Sequence, residues 1–147
     1  MDKATKEQTV ERLKTLRQIE RANPCGYGFR FYLDRIIGGH FFYEGALPTN
    51  WQGTPKKLRR LIRRSVEVRT LATSGKTDRE LGKLIVLEHA YTMRELMRLV
   101  LEEQYEQASA AYDVRFITRE EDTMLKAAEQ QGYFHLARYE KAGLKFE

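Results

Sequence analysis

Helix starts are the feature of this sequence that most restricts its fold. A threonine followed three residues later by glutamate or glutamine marks four predicted helix starts, at Thr5, Thr77, Thr92 and Thr118. In this pattern, the capping box, each of the two side chains accepts a hydrogen bond from a backbone N–H at the helix start. Thr54-Pro55 predicts a fifth start, because proline is favoured at the first position of a helix.

Helix ends are also recognisable, since glycine and Asn-Pro pairs terminate helical patterns. Such signals occur at Asn23-Pro24, Gly75 and Gly132. The sequence therefore predicts a mainly α-helical fold, a bundle of about five helices. The predicted helices span residues 5–22, 55–73, 78–88, 93–112 and 119–131, with a short helix near 134–142.

Residues 26–53 are rich in glycine, and eight of the chain's sixteen aromatic residues fall between Tyr27 and Trp51. Side chains alternate in polarity from Phe29 to Asp34, which predicts a strand. Gly38-Gly39 predicts a turn into a second strand, His40 to Glu44. We therefore expect a small aromatic β-hairpin or extended segment after the first helix, although residues 33–37 also fit one or two helical turns. A shorter β-like stretch covers residues 114–117.

At 147 residues the chain is expected to form a single domain. Its parts are an N-terminal helix over residues 1–25, the aromatic segment over 26–53 and a helical bundle over 54–147. The one cysteine excludes an internal disulfide, and the first twenty residues lack the apolar core of a secretory signal. Because no apolar run is long enough to cross a bilayer, we predict a soluble, intracellular protein without a transmembrane segment.

Positive charge is concentrated in one short stretch, residues 56–70, which we call the basic segment. Seven of its fifteen residues are cations, opposed only by Glu67, so it carries +6 while the rest of the chain carries −1. On the predicted helix 55–73 these cations share one face, where they repel one another near the helix start. We therefore predict an anion-binding face made of Lys56, Lys57, Arg59, Arg60, Arg63 and Arg64.

Several kinds of partner fit this face, anionic lipid headgroups among them. Nucleic acid is the first choice, because arginine and lysine bind the phosphates of its backbone. The alternative is an acidic protein surface, which would make the chain an accessory or structural subunit, or a small inhibitor or adaptor, in a larger assembly. Acids of the same chain would also neutralise the segment, and the candidates are Glu102, Glu103, Glu106, Glu120, Glu121 and Asp122.

Residues 26–32, Gly-Tyr-Gly-Phe-Arg-Phe-Tyr, resemble the RNP1 stretch of RNA-recognition domains, whose aromatic rings stack on unpaired bases. Cys25 stands where that family has a cation, and Arg30 where it has an apolar residue. The resemblance implies an exposed stacking surface, for which the candidates are Tyr27, Phe29, Tyr32 and Trp51. The other interpretation is a glycine turn that leads into a strand whose rings lie in the core.

Residues 77–98 also fit a helix-turn-helix. The first helix would run from Asp78 to Leu87, the turn from Glu88 to Tyr91, and a recognition helix would start at Thr92. Acids on that second helix, such as Glu95 and Glu102, would repel phosphate and argue against this interpretation.

The sequence contains no recognisable catalytic or metal-binding pattern. His40, His89 and His135 have no histidine or cysteine neighbours at ligand spacing. Phosphate-binding glycine loops, nucleophile elbows and dinucleotide fingerprints are also missing. We therefore expect a non-catalytic protein that has no cofactor and binds an anionic macromolecule.

Overall fold

The computed structural model describes residues 5–24, 27–41 and 48–147, and these are mainly α-helical, as predicted. In chain order the elements are α1 (Lys6–Ala22), α2 (Tyr27–Phe41), α3 (Lys56–Arg59), β1 (Arg63–Arg64), α4 (Val66–Ala72), α5 (Asp78–Leu84), β2 (Ile85–His89), α6 (Met93–Leu101), α7 (Tyr105–Ala110), β3 (Val114–Thr118), α8 (Arg119–Gln130) and α9 (Leu136–Ala142). None of the described helices combines the length and apolar character needed to cross a membrane.

The chain divides into two compact units. Unit 1 comprises Met1–Leu47 and Tyr91–Asp113, and unit 2 comprises Pro48–Ala90 and Val114–Glu147. Each unit contains its own set of fully buried apolar side chains, with Leu13 and Leu96 in unit 1 and Phe116 and Leu125 in unit 2.

Unit 1 is built from helices that each bury one face. On α1, Thr9, Leu13 and Leu16 are buried at intervals of three and four residues, which is the spacing of a single helical face. Helix α1 packs against α2, α6 and α7. Leu96 and Val100 are fully buried on α6, and the described part of unit 1 contains no strand.

Helix α2 occupies most of the segment for which the sequence predicts a hairpin, so that prediction is wrong for residues 27–41. Phe29, Leu33 and Ile37 are buried, and their four-residue spacing is that of a helical face. Phe29 and Leu33 also fall on one face of a strand, so these two residues fit both structures. The helix forms because α2 packs against α1. Gly38-Gly39 lies inside the helix, and residues 42–44 of the predicted second strand fall outside the described residues.

Unit 2 contains a three-stranded sheet in the order β1-β3-β2. Strand β1 runs parallel to β3, and β2 runs antiparallel to it, with Val86 opposite Ile117. All five residues of β3 are buried, which is typical of a central strand. The predicted β-like stretch over residues 114–117 is therefore confirmed as a strand.

The outer side of β1 is covered by residues 145–147. The Val66 N–H donates to the Lys145 carbonyl (2.8 Å), and the Glu147 N–H donates to the Arg64 carbonyl (3.2 Å). Ser65 and Phe146 form an antiparallel bridge between these two segments. These contacts place the side chain of Glu147 beside the basic segment.

The prediction of one basic helix over residues 55–73 is wrong, because the chain forms α3, a turn, β1 and α4 in this range. The backbone of Arg63 and Arg64 pairs with β3, and the Ser65 hydroxyl then starts α4 by accepting from the Val68 N–H (3.2 Å). Arginine has good helix propensity, but the hydrogen bonds of a distant strand override it.

Two further predicted helices are shorter than expected, and the prediction of a five-helix bundle is wrong. The helix predicted over residues 78–88 ends at Leu84, because Ile85–His89 pairs with β3. In the predicted helix-turn-helix, that strand replaces the end of the first helix and the first two residues of the turn. The helix predicted over residues 93–112 is interrupted after Leu101, where Glu103 adopts a φ of 62°, a left-handed conformation incompatible with a continuous helix.

Three of the four predicted capping boxes are confirmed, those at Thr5, Thr77 and Thr118. Thr92 accepts a hydrogen bond at the start of α6, but the Glu95 carboxylate binds Arg98 and does not complete the box. Thr54 is buried, and its hydroxyl oxygen accepts from the Thr49 N–H (3.0 Å) instead of from an N–H of α3, so it does not cap that helix.

Candidate anion-binding site

The fold distributes the six predicted anion-binding residues over three different elements. Lys56, Lys57 and Arg59 lie on α3, Arg60 lies in the turn, and Arg63 and Arg64 lie on β1. They do not share one helical face, so each has its own surroundings. The nearest anions of the chain determine which of them remain available to a partner.

Arg59 is held inside unit 2 and cannot reach a partner. Its guanidinium donates to both carboxylate oxygens of Asp78 (3.1 and 3.4 Å) and, through Nε, to the Thr54 carbonyl (2.8 Å). It also lies over the Trp51 ring, 4.7 Å from the centroid. The hydrogen bond from Arg59 holds the pKa of Asp78 below its ordinary value. Arg59 therefore stabilises α3 against α5 and is removed from the candidate site.

Arg64 shares a carboxylate with Arg69. The Arg64 Nε lies 3.5 Å from one oxygen of Glu147, and the Arg69 Nη1 lies 2.8 Å from the other. Each guanidinium therefore faces a different oxygen of the same anion. These side chains are partly or largely exposed, so the attraction between them is screened by water.

Arg60 and Arg63 are exposed, and neither forms an ion pair within the described part of the chain. Arg63 lies over the Phe146 ring at 5.6 Å from its centroid. Together with Arg64 and Glu147 they line a cleft of about 230 Å³, which we call the basic cleft; its remaining walls are Leu61 and Ile62. Among the described residues that line the cleft, Glu147 is the only acid against three arginines, and Arg69 binds Glu147 from outside the lining.

Lys56 and Lys57 are exposed on α3. Lys56 forms no ion pair with a described residue, although its charge contributes to the lowered pKa of Asp78. These two lysines extend the positive surface of the basic segment but do not line the basic cleft.

The acids that the sequence offered as internal partners do not neutralise the basic segment. Among the described residues they pair elsewhere or stay exposed: Glu102 with Arg98, Glu103 with Arg17 and Arg21, Glu106 with Lys6, Asp122 with Lys126, Glu121 with Ser65 and the Thr118 backbone, and Glu120 at the surface. Two acids that do pair with it, Asp78 and Glu147, were not predicted. No local pattern marks either one, since both reach their partners through tertiary contacts.

The predicted stacking aromatics have different surroundings. Phe29 and Trp51 are 1% and 5% exposed, and a buried ring cannot offer its face to a base. Tyr32 is exposed on α2 in unit 1, where it makes an edge contact with Phe31 at 5.5 Å between centroids. The side chain of Tyr27 lies outside the described residues. Tyr32 is therefore the one described candidate whose ring remains accessible.

Charge is divided unequally between the two units. Unit 2 contains sixteen lysines and arginines against ten acids, a net charge of +6, whereas unit 1 contains ten against eleven, a net charge of −1. The excess positive charge of the chain therefore belongs to unit 2, which also contains the basic cleft.

Within the described residues, no three histidine, cysteine, aspartate or glutamate side chains are arranged to hold a metal ion. Comparison of the chain with protein-family models, with curated proteins and with solved structures finds no match.

Proposed function

We propose that this protein is a non-catalytic, intracellular nucleic-acid-binding protein, and that its basic cleft contacts the phosphate backbone. The observation that supports the proposal is the excess of guanidinium groups at the cleft. Arg60 and Arg63 are exposed and have no ion-pair partner among the described residues, and Arg64 and Arg69 share the single carboxylate of Glu147.

Phosphate suits this arrangement for electrostatic and geometric reasons. Guanidinium groups that lie together repel one another, and a bound anion relieves that repulsion. A phosphodiester presents two anionic oxygens, which the planar fork of an arginine binds well. A nucleic-acid backbone repeats this group along its length, so Lys56 and Lys57 on the neighbouring α3 would contact adjacent phosphates. Such contacts do not read base sequence.

Charge reversal at the cleft tests the proposal. We expect the double variant Arg60→Glu, Arg63→Glu to bind labelled duplex DNA and single-stranded RNA about ten-fold more weakly or worse, because each arginine contributes a phosphate contact. Fluorescence anisotropy measures the affinities. Both arginines are exposed, so the helical circular-dichroism signal should stay unchanged.

The matched control is Arg30→Glu, Arg94→Glu in unit 1, which changes the net charge by the same amount. Both arginines are exposed in the first turns of α2 and α6, where an acid is favoured by the helix dipole. Equal losses of affinity in the two double variants would show that only net charge matters and would refute a role for the cleft.

An acidic protein is the alternative partner, and a competitor distinguishes it from nucleic acid. Polyglutamate supplies carboxylates at high density without phosphate. If the cleft recognises phosphate, polyglutamate at equal charge concentration should displace the labelled nucleic acid poorly. Tighter binding of polyglutamate than of either nucleic acid would favour the role of an accessory subunit docked on an acidic surface.

A further inference from the structure

The carboxylate of Glu147 has the surroundings expected of a phosphate group. Its two oxygens face two different guanidinium groups, those of Arg64 (3.5 Å) and Arg69 (2.8 Å). It also lines the same cleft as Arg60 and Arg63. An anion at this position therefore contacts two guanidinium groups directly, and two more line the same cleft.

We propose that Glu147 occupies a phosphate-binding position between Arg64 and Arg69, and that nucleic acid binds the basic cleft by displacing this carboxylate. The inference rests on the proposed function and deepens it. It identifies one phosphate position, adds Arg69 to the residues that contact the ligand, and assigns Glu147 the role of an internal competitor.

The displacement needs only a rotation of the Glu147 side chain. The backbone of residues 145–147 is fixed to β1 and to the start of α4 by the hydrogen bonds from Glu147 to Arg64 and from Val66 to Lys145. These bonds involve no side-chain atoms, so they persist when the carboxylate leaves. About a third of the Glu147 side chain is exposed, which leaves a path into solvent. Ion pairs at such sites are weak, and an incoming phosphate can compete with them.

Neutralising Glu147 should therefore strengthen binding. We expect Glu147→Gln to bind labelled duplex DNA about three-fold or more tightly than Glu140→Gln, since an exposed ion pair contributes energy of that order. Both variants gain one unit of net charge. Glu140 is exposed on α9 and does not line the cleft, so its variant reports the effect of net charge alone.

A second variant tests the phosphate position itself. If Arg69 takes over a phosphate oxygen when Glu147 leaves, the gain in affinity from Glu147→Gln should be smaller in an Arg69→Gln background. An undiminished gain would remove Arg69 from the site and overturn the proposed position.

The outcomes separate the two proposals. If Glu147→Gln and Glu140→Gln gain equally, or if Glu147→Gln weakens binding, the competitor role is overturned while nucleic-acid binding stands. If the unmodified protein binds neither DNA nor RNA, the proposed function itself fails. If Glu147→Gln gains more affinity than Glu140→Gln, and this gain depends on Arg69, both nucleic-acid binding and the competitor role of Glu147 are supported.

Discussion

Each unit of this protein contains an arginine that bridges two carboxylates, and the two arginines differ in the origin of their partners. In unit 1, Arg98 donates to Glu95 (3.0 Å) and Glu102 (2.6 Å), which are three and four residues away along the chain. About half of the Arg98 side chain is exposed. This is a local arrangement at the surface of one helix, of the kind that sequence spacing alone indicates.

In unit 2, the corresponding residue is Arg138, whose side chain is 5% exposed. It pairs with Glu88 on β2 (2.7 Å) and Glu129 on α8 (2.6 Å), and it donates to the carbonyl of Ala90 (3.0 Å). These partners therefore come from two separate segments, residues 88–90 and α8. The bridge of Arg98 in unit 1 is therefore local and exposed, whereas the bridge of Arg138 in unit 2 is tertiary and buried, and unit 2 also carries the excess of positive charge.

The largest expected difference between the units is the loss of unfolding free energy when each bridging arginine is replaced by leucine. Arg138→Leu should lower the free energy of unfolding by about 3–5 kcal/mol, because it leaves Glu88 poorly solvated without its counterion. Arg98→Leu should have little effect, since Glu95 and Glu102 remain hydrated. Urea denaturation measures both changes. Equal losses of stability would mean that the two bridges have equivalent surroundings.

Removing one helix cap from each unit should give a smaller difference in unfolding free energy. Thr118→Ala in unit 2 should lower the free energy of unfolding by about 1–2 kcal/mol, and Thr5→Ala in unit 1 by about 0.5 kcal/mol. Both residues form complete capping boxes, but Thr118 is buried and Thr5 is exposed. Water can replace the lost hydroxyl only at the exposed cap. The same denaturation experiment measures the two values, and a larger loss at Thr5 would contradict this explanation.

The smallest expected effect is the pH-dependent contribution of single carboxyl groups in unit 2 to the free energy of unfolding. Burial raises the pKa of Glu88 above its ordinary value of 4.5, against the opposing charge of Arg138. Glu88 therefore binds its proton more tightly in the folded state. Its contribution to stability is complete below pH 4.5 and is lost as the pH rises through the folded-state pKa. The stability of the unmodified protein relative to Glu88→Gln should thus increase on acidification from neutral pH.

Glu80 should show the opposite sign, and it serves as the control within unit 2. Its hydrogen bond from the Thr77 backbone lowers its pKa below the ordinary value of 4.5. Its contribution is present above pH 4.5 and is lost as the pH falls through the lower folded-state pKa. Urea midpoints as a function of pH for Glu88→Gln and Glu80→Gln measure both effects. Parallel pH profiles for the two variants would contradict the opposite pKa shifts of Glu88 and Glu80.

The sequence predicts the elements that local signals determine. The capping boxes at Thr5, Thr77 and Thr118 and the strand at residues 114–117 are confirmed. The basic segment is different, because Arg63 and Arg64 become a strand only through pairing with β3, more than fifty residues away in the chain. Likewise α2 is distinguished from a strand by its packing against α1.

The candidate site could be predicted from the sequence only in part. The concentration of cations at residues 56–70 is a property of the sequence, and so is the positive charge of the region that became unit 2. Which cations remain available is a tertiary property. Asp78 removes Arg59 from the surface, and Glu147 pairs with Arg64 and Arg69. No spacing rule connects these residues, since each pair is formed by the meeting of separate elements.

The salt dependence of nucleic-acid binding tests the central claim most directly. The logarithm of the association constant falls linearly with the logarithm of the salt concentration, with a slope of about −0.9 per phosphate contact on duplex DNA. We predict a clear negative slope for the unmodified protein, reduced in magnitude by about two in Arg60→Glu, Arg63→Glu and unchanged in Arg30→Glu, Arg94→Glu. A slope near zero, or one that the cleft variant leaves unaltered, would contradict phosphate binding at the basic cleft.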